Sequence, residues 1–354
     1  MKIKLAILEN DQSYLNRIVV AFSTKYSDKF QIYSFTNPEM AFSVLESEKI
    51  DVLIASDSFD VDVSLLPKRC AFAYFVDAKD VDTHNDQTAI SKFQKADMIY
   101  KQILSLYSEN AGNANGLRMH DNGCEIIAFT SPSGGVGTST MAAACARHFA
   151  AKGKRTMYLS FEPFGSSDVF FSGEGQFNMS DIIFALKSKK ANLTMKLESC
   201  VKQDASGVFF FSQTNVALDM LELKTEEKIR LIEEIKITDS YDCIVVDIGF
   251  GLSKDFTDIY KLAHGIVFVG DGSECSNMKI FRAFNALRTM EEGAEETIAN
   301  RIVLLYNKFS NKTSKALTDV DIRNIGGAPR YEHATIAQVL EHLSQLSEFD
   351  KIEG

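Results

Sequence analysis

Short apolar runs, each followed by a stretch with helical spacing, recur along the whole chain. In the first third, runs at 3–8, 30–35, 51–55 and 72–76 read as strands, with a fifth at 89–93. The segments 12–26, 38–48 and 97–107 place apolar residues every three or four positions and predict helices. A second series begins near residue 122. Its strands are expected at 126–129, 156–161, 208–211, 241–249, 265–269 and 301–306, and its helices at 138–149, 181–189, 225–237, 276–291 and 334–346. Strands alternating with helices imply mostly parallel sheets covered by helices, an α/β fold in both series. Between the series, Ser108 to Gly116 is small and polar without apolar periodicity, so it reads as a linker. The expected organisation is a domain over 1–108, a linker over 109–121 and a larger domain over 122–354.

Charge and composition narrow the function classes. A chain of 354 residues can bury two cores. Its net charge of −10 is spread over both halves without a basic cluster, which speaks against a protein that wraps nucleic acid. The six cysteines are isolated, mostly inside apolar runs, and show no metal or disulfide spacing; they read as core residues of a reduced, cytosolic protein. No run reaches the length of a membrane span, and the polar residues after the first short apolar run do not suit a signal peptide.

Chemistry concentrates at 126–140, IIAFTSPSGGVGTST. A buried strand leads into a small-residue turn, and Thr138 then starts an alanine-rich helix. Gly134, Gly135 and Gly137 let backbone N–H groups converge, and the helix start adds unpaired donors and a positive dipole end. Strand, glycine turn and helix in this order make a phosphate cradle, here Ser133, Gly134, Gly135, Val136, Gly137, Thr138, Ser139 and Thr140. The strand at 241–249 carries an acid, Asp247, at its C-terminal end. Asp247 could hold Mg²⁺ through water while Ser139 supplies a direct hydroxyl ligand.

The 126–140 stretch resembles the deviant P-loop of the MinD/ParA family, Lys-Gly-Gly-x-Gly-Lys-Thr/Ser. The glycines and final hydroxyl match, but Ser133 and Thr138 stand where the family has lysines. Each lost charge-assisted hydrogen bond is worth about 1.5–3 kcal/mol. Transition-state stabilisation depends most on such charge, so at most weak ATP hydrolysis is expected. The resemblance further implies ATP and Mg²⁺ as cofactors. It places Glu162 of Glu162-Pro163-Phe164-Gly165 where the family positions the attacking water, Asn307 at the adenine edge, and Pro329 and Arg330 on the loop flanking the base.

The first domain resembles a response-regulator receiver. Glu9-Asn10-Asp11 occupies the acidic-pair position and Lys92 lies near the family lysine, but Ser56 stands where the phosphorylated aspartate would be. A serine hydroxyl is no acyl-phosphate nucleophile without a base. The domain therefore reads as a pseudo-receiver for docking or dimerising, with Glu9, Asp11 and Lys92 as solvated loop-end charges. A degenerate receiver followed by a degenerate MinD/ParA-type ATPase domain resembles the TadZ/CpaE pilus-assembly family across nearly the whole chain. Membership implies a cytoplasmic, nucleotide-binding localisation and scaffold protein for an Flp-type (Tad) pilus, held at a cell pole through partners. It also implies contacts with other pilus proteins and a homodimer, with neither nucleic acid nor membrane insertion. Two alternatives stand beside it. One is an active ATPase switch, marked by turnover lost in Glu162→Gln; the other is a partitioning or regulatory DNA binder, marked by salt-dependent duplex binding.

Overall fold

The computed structural model describes residues 2–79, 81–110, 123–188, 192–238, 240–293 and 297–352. Contacts divide the chain into two units, residues 1–116 with 184–200, and residues 117–183 with 201–354.

In the first unit the strands are β1 (Ile3–Leu8), β2 (Phe30–Phe35), β3 (Val52–Ser56), β4 (Ala71–Val76), β5 (Thr83–His84) and β6 (Gln87–Ser91). They form one sheet in the order β2-β1-β3-β4-β6-β5. All neighbours are parallel except the β5–β6 hairpin. Asn85 and Asp86, both at positive φ, make the tight turn of that hairpin, which the apolar pattern alone does not announce. Asp11 caps the helix Gln12–Lys25, and Asn37 caps Pro38–Leu45 with proline in the first turn. One sheet face packs Leu5, Ile7, Ile54 and Phe75 on Ile18, Phe22, Ile99 and Ile103.

Two features of this unit depart from the periodicity reading. The helix Ala96–Asn110 extends into the expected linker, with Ser108 buried and its hydroxyl donating to Ser105 O. The rest of the expected linker, 111–121, lies outside the described residues. The helix Leu193–Cys200, far along the chain, is grouped with this unit. Glu198 accepts from Lys29 Nζ at 2.8 Å and from Tyr100 Oη at 2.7 Å, and buried Lys196 donates to Ser105 Oγ at 2.6 Å.

In the second unit the strands are β7 (Glu125–Thr130), β8 (Thr156–Ser160), β9 (Lys202–Gln203), β10 (Phe209–Phe210), β11 (Cys243–Asp247), β12 (Gly265–Gly270), β13 (Ile302–Phe309) and β14 (Arg323–Pro329). Their order is β14-β13-β12-β7-β11-β8-β10-β9, with only the β9–β10 pair antiparallel among them. Central β11 and β12 are buried throughout, as their near-continuous apolar sequence requires in a sheet covered on both faces. Met141 to Ala146 of the helix Thr138–Ala151 are all buried, because small side chains let that helix settle against the sheet. The C-terminal segment closes the same core through Leu340, Leu343, Phe349 and Ile352. Strand β14 was not expected, since Gly326, Gly327 and Pro329 read as loop. It is an edge strand with register shifts against β13, the setting in which a sheet tolerates such residues. Both units are thus α/β with mostly parallel sheets.

Candidate nucleotide site

Three strands end together at the head of the second sheet. β7 runs into the glycine turn, and the parallel register sets Asp247 at the end of β11 beside Phe129 of β7 and Ser160 of β8. Ser131 holds the turn: its hydroxyl donates to Val269 O at 2.6 Å and accepts from Ser133 N at 3.0 Å. Gly135 and Gly137 adopt φ of 78° and 89°, and Gly137 is the N-cap of the helix that begins at Thr138. A Cβ at Gly137 would collide with the Asn307 amide, so this position requires glycine for both conformation and space. Ser133, which opens the glycine turn, is buried. Ser139 and Thr140 lie in the first helical turn, half-buried.

Asp247 is 1% exposed. Its Oδ2 accepts from Tyr158 Oη at 2.9 Å and from Ser160 Oγ at 3.4 Å, whereas Oδ1 has no hydrogen-bond partner. Burial pushes the carboxyl up to about 6, and the nearby Glu162 charge adds to the rise; the hydroxyls of Ser139, Tyr158 and Ser160 work against it. Glu162 is likewise raised by its own burial, with the Lys228 ammonium opposing. Glu162 therefore stands near Asp247, and its Oε1 also lies against Gly249.

A buried carboxylate with one unpartnered oxygen beside a serine hydroxyl is a fitting donor set for Mg²⁺. This ion binds oxygen and usually takes only one or two protein carboxylates, leaving the remaining positions to water and phosphate. Among the described residues there is no group of three or more His, Cys, Asp or Glu that could form an all-protein cage. Asp247 and Ser139 would hold the ion, which would neutralise phosphate charge when bound.

The residues expected at the base are distributed differently. Pro329 and Arg330 line a cavity of about 880 Å³ together with Asp271, Tyr306, Lys308 and Phe309. Asn307, expected at the adenine edge, is 4% exposed and braces the glycine loop. Its Nδ2 donates to Val136 O at 2.9 Å, and its Oδ1 accepts from Lys308 N at 3.0 Å. Burial against Gly137 leaves this amide facing the loop backbone. Tyr158 and Lys308 were not singled out from sequence. Tyr158 lies two residues before Ser160 on β8 and therefore shares its face.

In the first unit, the receiver-like residues do converge. Lys92 Nζ lies 2.9 Å from Glu9 Oε2, 3.2 Å from Asp77 Oδ1 and 3.3 Å from Ser56 Oγ. Glu9 is fully buried and the Lys92 side chain is 8% exposed, so neither is the solvated charge expected. Asp11 is spent on the helix cap, accepting from Ser13 N and Tyr14 N. The geometry is that of an acid-and-lysine cluster closed over a serine.

Residues 1–108 match the family described as TadZ-like, receiver domain. No curated protein matches the chain. Among solved structures, a ParA family ATPase from Chlorobium tepidum TLS aligns at 20% identity with a TM-score of 0.50, covering 66% of this chain and 97% of its own. The MinC:MinD cell division complex of Aquifex aeolicus aligns at 18% identity, with a TM-score of 0.47 and coverage of 65% and 94%. MinD complexed with Mg-ADP from Pyrococcus horikoshii OT3 aligns at 13% identity, with a TM-score of 0.44 and coverage of 65% and 99%. Residues 1–108 thus form a TadZ-like receiver domain, and the chain also carries a domain with the fold of a ParA family ATPase.

Proposed function

We propose that this chain binds ATP with Mg²⁺ in the glycine loop and acts as a nucleotide-binding localisation and scaffold protein for Tad pilus assembly, with weak or absent hydrolysis. The observation that carries the nucleotide reading is the unpartnered, buried Asp247 oxygen at the mouth of a glycine turn that opens a helix. Buried polar atoms are rarely left unpaired, and here a hydrated cation would satisfy one. Weak hydrolysis follows from the loop's own composition, since Ser133 and Thr138 provide no charge to stabilise a transferring phosphoryl group. The pilus role rests on the TadZ-like receiver domain and its company with a ParA-type fold. We place the protein in the cytoplasm, at a cell pole through other pilus proteins, and as a homodimer.

The test of nucleotide binding is thermal. With Mg²⁺ and ATP at a hundred times the dissociation constant, the full chain gains about 2.7 kcal/mol. Its melting temperature should rise accordingly, and Asp247→Asn should remove the gain. No shift in the wild-type chain at millimolar ATP would overturn the reading.

A further inference from the structure

Resting on the nucleotide reading above, we infer that Lys308 is the cation of this site, delivered by the strand β13 in place of the two lysines missing from the loop. Its ammonium donates to Gly135 O at 2.9 Å, on the glycine turn itself. The same side chain lines the cavity that also contains Pro329 and Arg330. One residue thus touches both the phosphate cradle and a cavity whose volume suits a small ligand.

The backbone is shaped to deliver it. Lys308 has φ of 56°, a left-handed conformation uncommon for a lysine, at the register shift between Tyr306 and Phe309. Asn307 fixes this turn by accepting from Lys308 N while donating to Val136 O in the loop. The bare Gly137 leaves room for Asn307, whose amide a Cβ there would strike, and Lys308 Cε lies next to the same position within ordinary contact distance. Two neighbouring residues of β13 therefore divide the work, Asn307 bracing the loop and Lys308 crossing it.

Chemistry favours exchange of partners when a nucleotide arrives. An ammonium has three donors, and Gly135 O is a neutral acceptor reached in an exposed position. A phosphate oxygen is a charged acceptor and makes roughly twice as strong a hydrogen bond. Loss of that contact should cost about tenfold or more in affinity.

The experiment compares wild type, Lys308→Met and Lys308→Arg as full chains, by calorimetric titration with Mg·ATP and Mg·ADP at two salt concentrations. Lys308→Met keeps an apolar stem and removes the charge. It should bind both nucleotides at least about tenfold more weakly, with a shallower salt dependence, while Lys308→Arg recovers part of the loss. Melting curves without nucleotide should coincide, because Lys308 makes an exposed hydrogen bond rather than a core contact. If wild type binds and Lys308→Met binds within twofold of it, the inference fails while the nucleotide reading stands. If wild type binds neither nucleotide, both fail.

Discussion

At the scale of single residues, the proposed nucleotide site is marked by a cost that the chain carries without ligand. Asp247 is buried, half satisfied and raised to about 6, against an unfolded carboxyl near 3.9. Between these values the native state holds a proton that the unfolded state lacks, so apo stability falls as pH rises from about 4 to about 6 and stays lower above. Asp247→Asn should flatten that slope and raise apo stability at pH 7 by up to about 3 kcal/mol, as read by urea melts across pH. A variant no more stable than wild type at pH 7 would contradict this account. The cluster of Glu9, Asp77, Lys92 and Ser56 obeys the opposite logic, for its buried charges are paired with each other. The residue types and their strand-end positions were legible in sequence. Their burial was not, because a charge at the end of a predicted strand gives no sign of whether the neighbouring strands close over it.

At the scale of elements, the glycine turn is an assembly of three strands rather than a motif by itself. Ser131 ties it to the end of β12, and Asn307 ties it to β13. Gly137→Ala should lose on two counts, a strained left-handed backbone worth about 1–3 kcal/mol and a collision with the Asn307 amide. The expected outcome is a lower denaturation midpoint together with loss of the ATP-dependent melting shift. Unchanged values of both would mean that the turn relaxes without β13. The turn, its strand and its helix were readable from 126–140 because they are local: an apolar run, glycines and an alanine-rich face. The role of Asn307 was not readable, since the contact joins residues 171 positions apart. Strand β14 escaped for a different reason, as its glycines and proline fit a strand only at a sheet edge.

At the scale of the whole molecule, the grouping of elements does not follow chain order. The helix Leu193–Cys200 belongs with the first unit, where Glu198 receives Lys29 and Tyr100. Glu198→Ala should destabilise that unit by about 1.5–3 kcal/mol, the range for hydrogen bonds to a charged partner, and melts followed in the full chain would show it. A fragment ending at residue 110 should melt below the same unit in the intact chain, because it lacks this helix. Equal melting would make the helix dispensable.

What the amino-acid order determined alone was the succession of strands and helices, the α/β class of both units, and the glycine cradle with an acid on a neighbouring buried strand. Periodicity, turn chemistry and local composition act over a few residues, so they can be read along the chain. Tertiary structure alone decided that Asn307 braces the loop, that Lys308 crosses it, that Glu9 and Lys92 are buried as a pair, and that a distant helix joins the first unit. Those outcomes depend on burial and on hydrogen bonds between segments far apart in sequence, which only the closed sheets bring within reach of one another.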